Sequence, residues 1–424
     1  MQRVVRIFLL SLALAAAAGA QQQALQDVQS AIDRKDYATA LRIVRPLAQS
    51  GDAAAQSILG TMYALGDGVS KDPNEALNWY RKSAAQGYPD AQFQMGLAYL
   101  LGQGVAQSNS EAWSWMRKAA DQGQPDAQLN LGIMYAQGKG VRRNLPEAVS
   151  WFRKAAQAGH PVAQGNLGLA YLSGQGIPKN YGEALNWLRK AADQNDPQAQ
   201  ANLGSMYANG QGVAKSAAEA FQWYRKAAEQ GMPEAQFNVA LAYAGGLGVA
   251  KDPAQAVSWF RKAAEQGIAE AQANLGVAYA GGLGVKKDLA EAVRWSSKAA
   301  QKDIVLGQET LRTLAEQGYA AAQNELGLAY EKGWGSLKIE PEAVAWYRRA
   351  AEQGYAAAQF NLGRMYAGGH GIRQSDFEAY KWFARAAAQG NPDARKQLAA
   401  LAKRLSAEQI AEAQRAAKQP ATAR

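Results

Sequence analysis

The 424-residue chain is predicted to be all-α, a right-handed α-α superhelix (solenoid) of about nine 36-residue helix-loop-helix repeats with terminal capping helices. Three observations lead there. The pair Leu59-Gly60 recurs every 36 residues as Met95-Gly96, Leu131-Gly132, Leu167-Gly168, Leu203-Gly204, Val239-Ala240 and Leu275-Gly276. After one step of 51 residues it returns as Leu326-Gly327 and Leu362-Gly363. Tyr and Trp keep the same register, from Tyr63 and Trp79 to Tyr366 and Trp382, and that column takes nine of the 11 Trp. Most of the 42 Gly fall in G-x-G pairs (Gly66 and Gly68 through Gly369 and Gly371) or in the turn that closes each unit, so the composition follows from the architecture.

The elements follow in order. Arg3 and Arg6, the apolar run Ile7 to Ala18 and Ala18-Gly19-Ala20 predict a signal peptide over residues 1–20. The run is too short to span a bilayer. Without Arg3 and Arg6 the formal charge falls from +10 to +8. Residues 21–50 read as an N-terminal capping helix pair, and residues 51–301 as repeats one to seven. In the second repeat, helix A runs from about Asp90 to Leu100 with Ala91, Met95 and Tyr99 on one stripe. Gly96 inside it costs about 1 kcal/mol against Ala. Its recurrence therefore implies close approach of a partner helix. Gly102 and Gly104 break the helix. Helix B runs from about Asn109 to Gln122, with an apolar stripe at Ala112, Trp115 and Ala119, and Gly123 closes it. Asn195 takes that closing place once, as the usual substitute in the left-handed region.

Residues 302–317 are an insertion, in which Leu306, Leu311 and Leu314 predict an additional or lengthened helix with Gly307 as a break. Residues 318–390 are repeats eight and nine. Residues 391–424 hold C-terminal capping helices and a tail, with an S-x-x-Q capping box at Ser406 and Gln409.

The absence of Cys excludes disulfides, thiolate catalysis and Cys-ligated metal. Two His, His160 and His370, do not make a His-rich metal centre, and both are expected in exposed loops. No S-x-x-K, G-x-S-x-G or H-E-x-x-H is present. The G-x-G pairs join helix to helix and recur with the repeat, so they read as turns rather than phosphate cradles. No catalytic residue, cofactor or metal is expected. Glutamates (Glu75, Glu111 and onward) open helix B and lysines (Lys82, Lys118 and onward) end it, the order that complements a helix dipole. With the adjacent Arg column they form a basic stripe, read as a solvated face rather than a nucleic-acid track.

The pattern A-Q-x-x-L-G-x-x-Y-x-x-G-x-G-V followed by E-A-x-x-W-x-x-K-A-A-x-x-G resembles the Sel1-like repeat, a relative of the tetratricopeptide repeat, over residues 51–390. The resemblance implies a scaffold, adaptor or regulator that binds a protein or peptide in the bacterial envelope, periplasmic or secreted, with no cofactor. The expected protein is a monomer, does not span a membrane and binds no nucleic acid. Two alternatives stand beside it. One is a binder of the cell wall or another anionic glycan. The other is a β-lactamase-like or wall-hydrolysing enzyme, for which no nucleophile or acid/base pair stands out.

Partner binding should use positions that repeat in space and vary in type. The place after the recurrent Gln gives Phe93, Leu129, Phe237 and Phe360 as candidates on a concave helix A face. Packing between units is the other reading of these side chains. A second variable column lies two places before Tyr and includes Leu97, Ile133, Leu169, Leu241 and Val277. The recurrent Gln and Asn could bond a ligand's backbone or satisfy backbone groups between units.

Overall fold

The computed structural model describes residues 19–334 and 337–419. Residues 1–18 of the expected leader, Gly335 of the eighth G-x-G pair and the last five residues of the tail lie outside them. Every regular element among the described residues is a helix. Helix α1 occupies residues 19–33 and α2 Tyr37–Gln49. Seven helix pairs follow: α3 (Ala53–Leu65) with α4 (Pro73–Ala85), α5 (Pro89–Leu101) with α6 (Asn109–Asp121), α7 (Pro125–Gln137) with α8 (Leu145–Gln157), α9 (Pro161–Ser173) with α10 (Tyr181–Asp193), α11 (Pro197–Asn209) with α12 (Ala217–Glu229), α13 (Pro233–Gly245) with α14 (Pro253–Glu265), and α15 (Ala269–Gly281) with α16 (Leu289–Ala300). After the single helix α17 (Val305–Glu316) come α18 (Ala320–Lys332) with α19 (Glu340–Glu352) and α20 (Ala356–Gly368) with α21 (Asp376–Ala388). Helices α22 (Pro392–Leu401) and α23 (Ala407–Lys418) end the described chain. The chain divides into two compact units near the end of α11. One reaches Met206 and includes Gln211–Val213; the other holds Tyr207–Gly210 and the chain from Ala214.

Local chemistry sets the helix ends. Pro89, Pro125, Pro161 and Pro233 open their A helices at the first turn, where no N–H is needed. The A helices end on a left-handed Gly, such as Gly174 at φ 77°. Ser108, Asn144, Asn180, Asp252 and Asp288 cap the B helices with their side chains. The N–H of the same capping residue donates to the helix A Tyr carbonyl nine residues earlier, Ser108 to Tyr99 and Asn144 to Tyr135, both at 2.9 Å. That bond folds each A–B loop back on itself. Asn195 does take the left-handed place, at φ 64°.

The helix A glycine owes its place to one contact. A Cβ on Gly132 would lie 2.6 Å from the Phe152 ring, and one on Gly168 would lie 2.7 Å from Leu188 Cγ. The intruding residue always follows Trp on helix B: Tyr80, Met116, Phe152, Leu188, Tyr347 and Phe383 meet Gly60, Gly96, Gly132, Gly168, Gly327 and Gly363. This shifts the expected helix B stripe by one place. Met116 is fully buried, whereas Trp115 is half-buried.

Glutamines stitch one repeat to the next. Gln164 Nε2 donates to Ala156 O at 3.2 Å, and Gln194 Nε2 donates to Gln164 Oε1 at 2.9 Å and to Gly159 O at 3.1 Å. The same bonds join Gln92 with Gln122 and Gln359 with Gln389. The recurrent Gln therefore satisfies backbone groups between repeats. Two steps are missing. Gln128 and Gln272 keep a buried Oε1 with no partner, because the position thirty residues on is Ala158 in one case and Lys302 in the other. Lys302 spends its ammonium on Gly267 O at 2.6 Å. Ala158→Gln should supply the missing donor to Gln128 and stabilise by about 1 kcal/mol, read as a rise in the urea midpoint at unchanged slope.

The insertion is one helix serving two neighbours. Its first half keeps the helix A register, with Gly307-Gln308 standing 36 residues after Ala271-Gln272. Gly307 does not break it: a Cβ there would lie 2.7 Å from Ser296 O, so the glycine admits close packing on α16. Ser296 replaces the bulky residue of the other repeats and Ser297 the Arg found at its place in all of them but the last, which makes room for it. The second half of α17 keeps the helix B register. Arg312 donates to the Tyr330 hydroxyl at 2.9 Å, as Arg261 does to Tyr279 and Arg348 to Tyr366.

Candidate functional site

Open grooves recur on the helix A side. One of about 440 Å³ lies between α7 and α9 and is lined by Ile133, Asn166, Leu169, Ser173 and, on its floor, Val149 and Phe152. Another of about 430 Å³ lies between α3 and α5, with Leu97, Leu101 and Gln94 over Tyr80. A smaller one of about 220 Å³ lies between α13 and α15, with Asn274 and Val277 over Phe260. Each has an apolar floor from helix B and walls from two successive A helices. This combination suits a ligand with apolar side chains and a polar main chain.

The walls come from the second variable column and the Asn column. Leu169 is 41% exposed, and Leu97, Ile133, Leu241 and Val277 are half-buried. Asn130 and Asn274 each donate one N–H to a carbonyl of their own helix, Asp126 O and Glu270 O, both at 2.8 Å. The first column lies deeper. Leu129 is 7% exposed. The Phe237 ring packs against Phe260 at 5.9 Å between centroids, and Phe360 packs against Phe383 at 5.6 Å. Phe93 is half-buried against the core that holds Met116. These four side chains thus brace helix A on the core, whereas the open walls belong to their neighbours.

The basic stripe is largely engaged. Lys154 Nζ lies 3.6 Å from the centroid of the Trp151 ring and Lys262 Nζ 3.8 Å from that of Trp259, and the same pairing recurs at Lys82, Lys118, Lys190, Lys226 and Lys298. Glu147 accepts the Trp151 indole N–H at 2.9 Å, and Glu291 does the same for Trp295. His160 is not a loose loop residue. It caps α9, and its Nε2 sits 3.2 Å from Asp126 Oδ1. His370 is exposed.

The last two repeats depart from the apolar pattern. Glu331 stands where other repeats have Ala or Leu, and Arg364 where they have Leu, Ile, Val, Thr or Ser. Arg364 grips the Glu331 carboxylate at 2.8 Å and 3.1 Å, Tyr347 donates to it at 2.7 Å, and Asn361 donates to Asn324 Oδ1 at 2.9 Å. Burial works to raise the Glu331 carboxyl, but the Tyr347 and Arg364 hydrogen bonds prevail and hold it below the usual carboxylate range. Burial, reinforced by Glu331, pushes the Tyr347 hydroxyl far above the usual phenol range. Both substitutions break their columns in the sequence, so the signal for this network was there to be read. Among the described residues no cluster of three or more His, Asp or Glu is placed to hold a metal ion, and no helix is long and apolar enough to cross a membrane.

The Sel1 repeat pattern matches nine segments of the chain, 53–88, 89–124, 125–160, 161–196, 197–232, 233–268, 269–304, 320–355 and 356–391. The gap between the seventh and eighth segments falls on α17. Among solved structures, the chain is similar to c5321, a protective antigen present in uropathogenic Escherichia coli strains, at 34% identity over 89% of this chain and 93% of that one, with a TM-score of 0.52. A Sel1 repeat protein from Oxalobacter formigenes is 36% identical over 57% of this chain and 96% of its own, with a TM-score of 0.53. No curated protein sequence matches.

Proposed function

The chain belongs to the Sel1 repeat family, and from that premise we propose that it is an exported scaffold or adaptor of the bacterial cell envelope that grips a protein partner along its helix A grooves. The observation that carries the reading is the recurring groove with an apolar floor and mixed apolar and amide walls, beside a basic stripe already engaged with Trp rings. Phe93, Leu129, Phe237 and Phe360 support that face from beneath. Export rests on the leader read in residues 1–20. The description of the Escherichia coli relative as a protective antigen is in keeping with an exported chain.

The test is affinity capture from envelope extract with the chain from Gln21 onward, followed by crosslinking. Leu97→Asp, Leu169→Asp and Val277→Asp should each weaken retention of a captured protein by more than tenfold, and the exposed Leu169→Asp should do so with the unfolding midpoint nearly unchanged. Phe237→Ala and Phe360→Ala should lower the midpoint first. A partner retained equally by all three wall variants would remove the grooves from the proposal.

A further inference from the structure

We infer that the grooves between α3 and α5 and between α13 and α15 hold an acidic, apolar segment of the protein partner, with a partner carboxylate on Lys71 in the first and on Lys251 in the second. The inference rests on the groove reading above and adds the charge of the occupant. In each of these two grooves one lysine is the only charged residue of the lining, Lys71 beside Leu97 and Leu101, and Lys251 beside Val277 and Leu283. The groove between α7 and α9 has no charged residue in its lining.

The two lysines differ from their counterparts in what they bond. They occupy the fifth place after the first loop glycine, which is Gln107, Arg143 and Gln374 in other repeats. Those three side chains turn back onto the last turn of their own helix A. Gln107 donates to Leu100 O at 2.8 Å, Arg143 to Ala136 O at 3.0 Å and Gln374 to Ala367 O at 3.1 Å. Lys71 and Lys251 make no such bond, and among the described residues they pair with no carboxylate. Asp72 and Asp252 beside them are committed as caps of α4 and α14. Their ammonium groups are therefore left at the rim of the groove.

The leucine that shares each groove with the lysine arises by two different routes. Leu101 is the last residue of α5 and is 59% exposed. The equivalent place in repeat 7 is Gly281, and Leu283 reaches over it from between the loop glycines: a Cβ on Gly281 would lie 3.2 Å from Leu283 Cγ. Leu283 is 57% exposed. The groove between α7 and α9 has Gln137, Ser173 and Gln175 at these places. An exposed leucine and an unpaired ammonium above an apolar floor call for an apolar side chain and a carboxylate close together. An anionic glycan or a lipid surface would call for several converging cations, and each groove offers one. Gln94 and Asn274 on the walls can meet the main chain of the segment.

The test is fluorescence anisotropy with the chain from Gln21 onward and three labelled peptides of about 12 residues, long enough to cross a groove when extended. Each is built from Leu and Ser with Asp, Asn or Lys at every third place. The Asp peptide should bind about tenfold more tightly than the Asn peptide, and the Lys peptide most weakly. Lys71→Gln with Lys251→Gln, whose amides can turn back as Gln107 does, should erase the Asp preference at an unchanged unfolding midpoint. Lys139→Gln with Lys403→Gln removes the same charge outside these two grooves and should leave the preference intact. Leu101→Ser with Leu283→Ser should weaken the Asp and Asn peptides alike. Equal binding of the Asp and Asn peptides overturns the acidic occupant and leaves the grooves standing, provided that the leucine pair still weakens both. A preference that survives Lys71→Gln with Lys251→Gln overturns it as well, and so does one lost equally with Lys139→Gln and Lys403→Gln. Binding of none of the peptides also overturns it. Peptides that bind and ignore the leucine pair would remove the groove reading and this inference together.

Discussion

Gly176→Ala is expected to destabilise the array by about 2–5 kcal/mol, although it adds a single methyl group. Gly176 is the second glycine of its G-x-G pair, at φ 74°, and its Cα faces the first turn of α8 in the preceding repeat. A Cβ there would sit 2.5 Å from Leu145 O and 2.6 Å from its carbonyl carbon. Those atoms belong to backbone at a helix start and have nowhere to go. Gly159→Ala separates the two costs. Gly159 is also left-handed, at φ 91°, but nothing lies within 4 Å of its Cβ position. It should therefore lose only the left-handed penalty of about 1–2 kcal/mol. Urea denaturation followed by tryptophan fluorescence would measure both variants. Equal midpoints would show that inter-repeat contact at the loop contributes nothing.

That contrast also shows what sequence could and could not reveal. Periodicity located the loop glycines and implied positive φ. It could not tell which of them is crowded, because crowding comes from the preceding repeat. The helix A glycine is a middle case. Its cost implied a close partner, and the structure identifies the intruder as the residue after Trp. Trp itself drew attention by its constancy, yet the variable residue beside it fills the core.

Phe237 and Phe360 stood out as large and variable, which suits a binding anchor and equally suits a brace. Choosing between them needs the direction of the side chain relative to helix B, and in the structure the two half-buried rings pack on Phe260 and Phe383. The 15 extra residues looked like an insertion because two registers overlap in them. Gly307-Gln308 continues helix A spacing, and Ala315 to Gly318 already belongs to helix B spacing. A repeat whose middle is deleted leaves one helix that packs on α16 as an A helix and on α18 as a B helix.

Trp151→Ala should cost about 3–5 kcal/mol, the range for emptying a large aromatic site, and its coupling to Lys154 would identify the function of the basic stripe. Trp151 is 1% exposed, donates its indole N–H to Glu147 and carries Lys154 on its face. Arg117 from α6 also approaches the ring, at 5.1 Å. The ring is therefore shared between two repeats, and its loss should loosen both. Trp259 is only half-buried, so Trp259→Ala should cost less. If the lysines are held by the rings, Lys154→Ala should destabilise by about 0.5–1 kcal/mol in the parent and by almost nothing in the Trp151→Ala background. A double-mutant cycle on the urea midpoint measures that difference. Zero coupling would mean that the lysines are free, and the stripe would then be available to an anionic glycan.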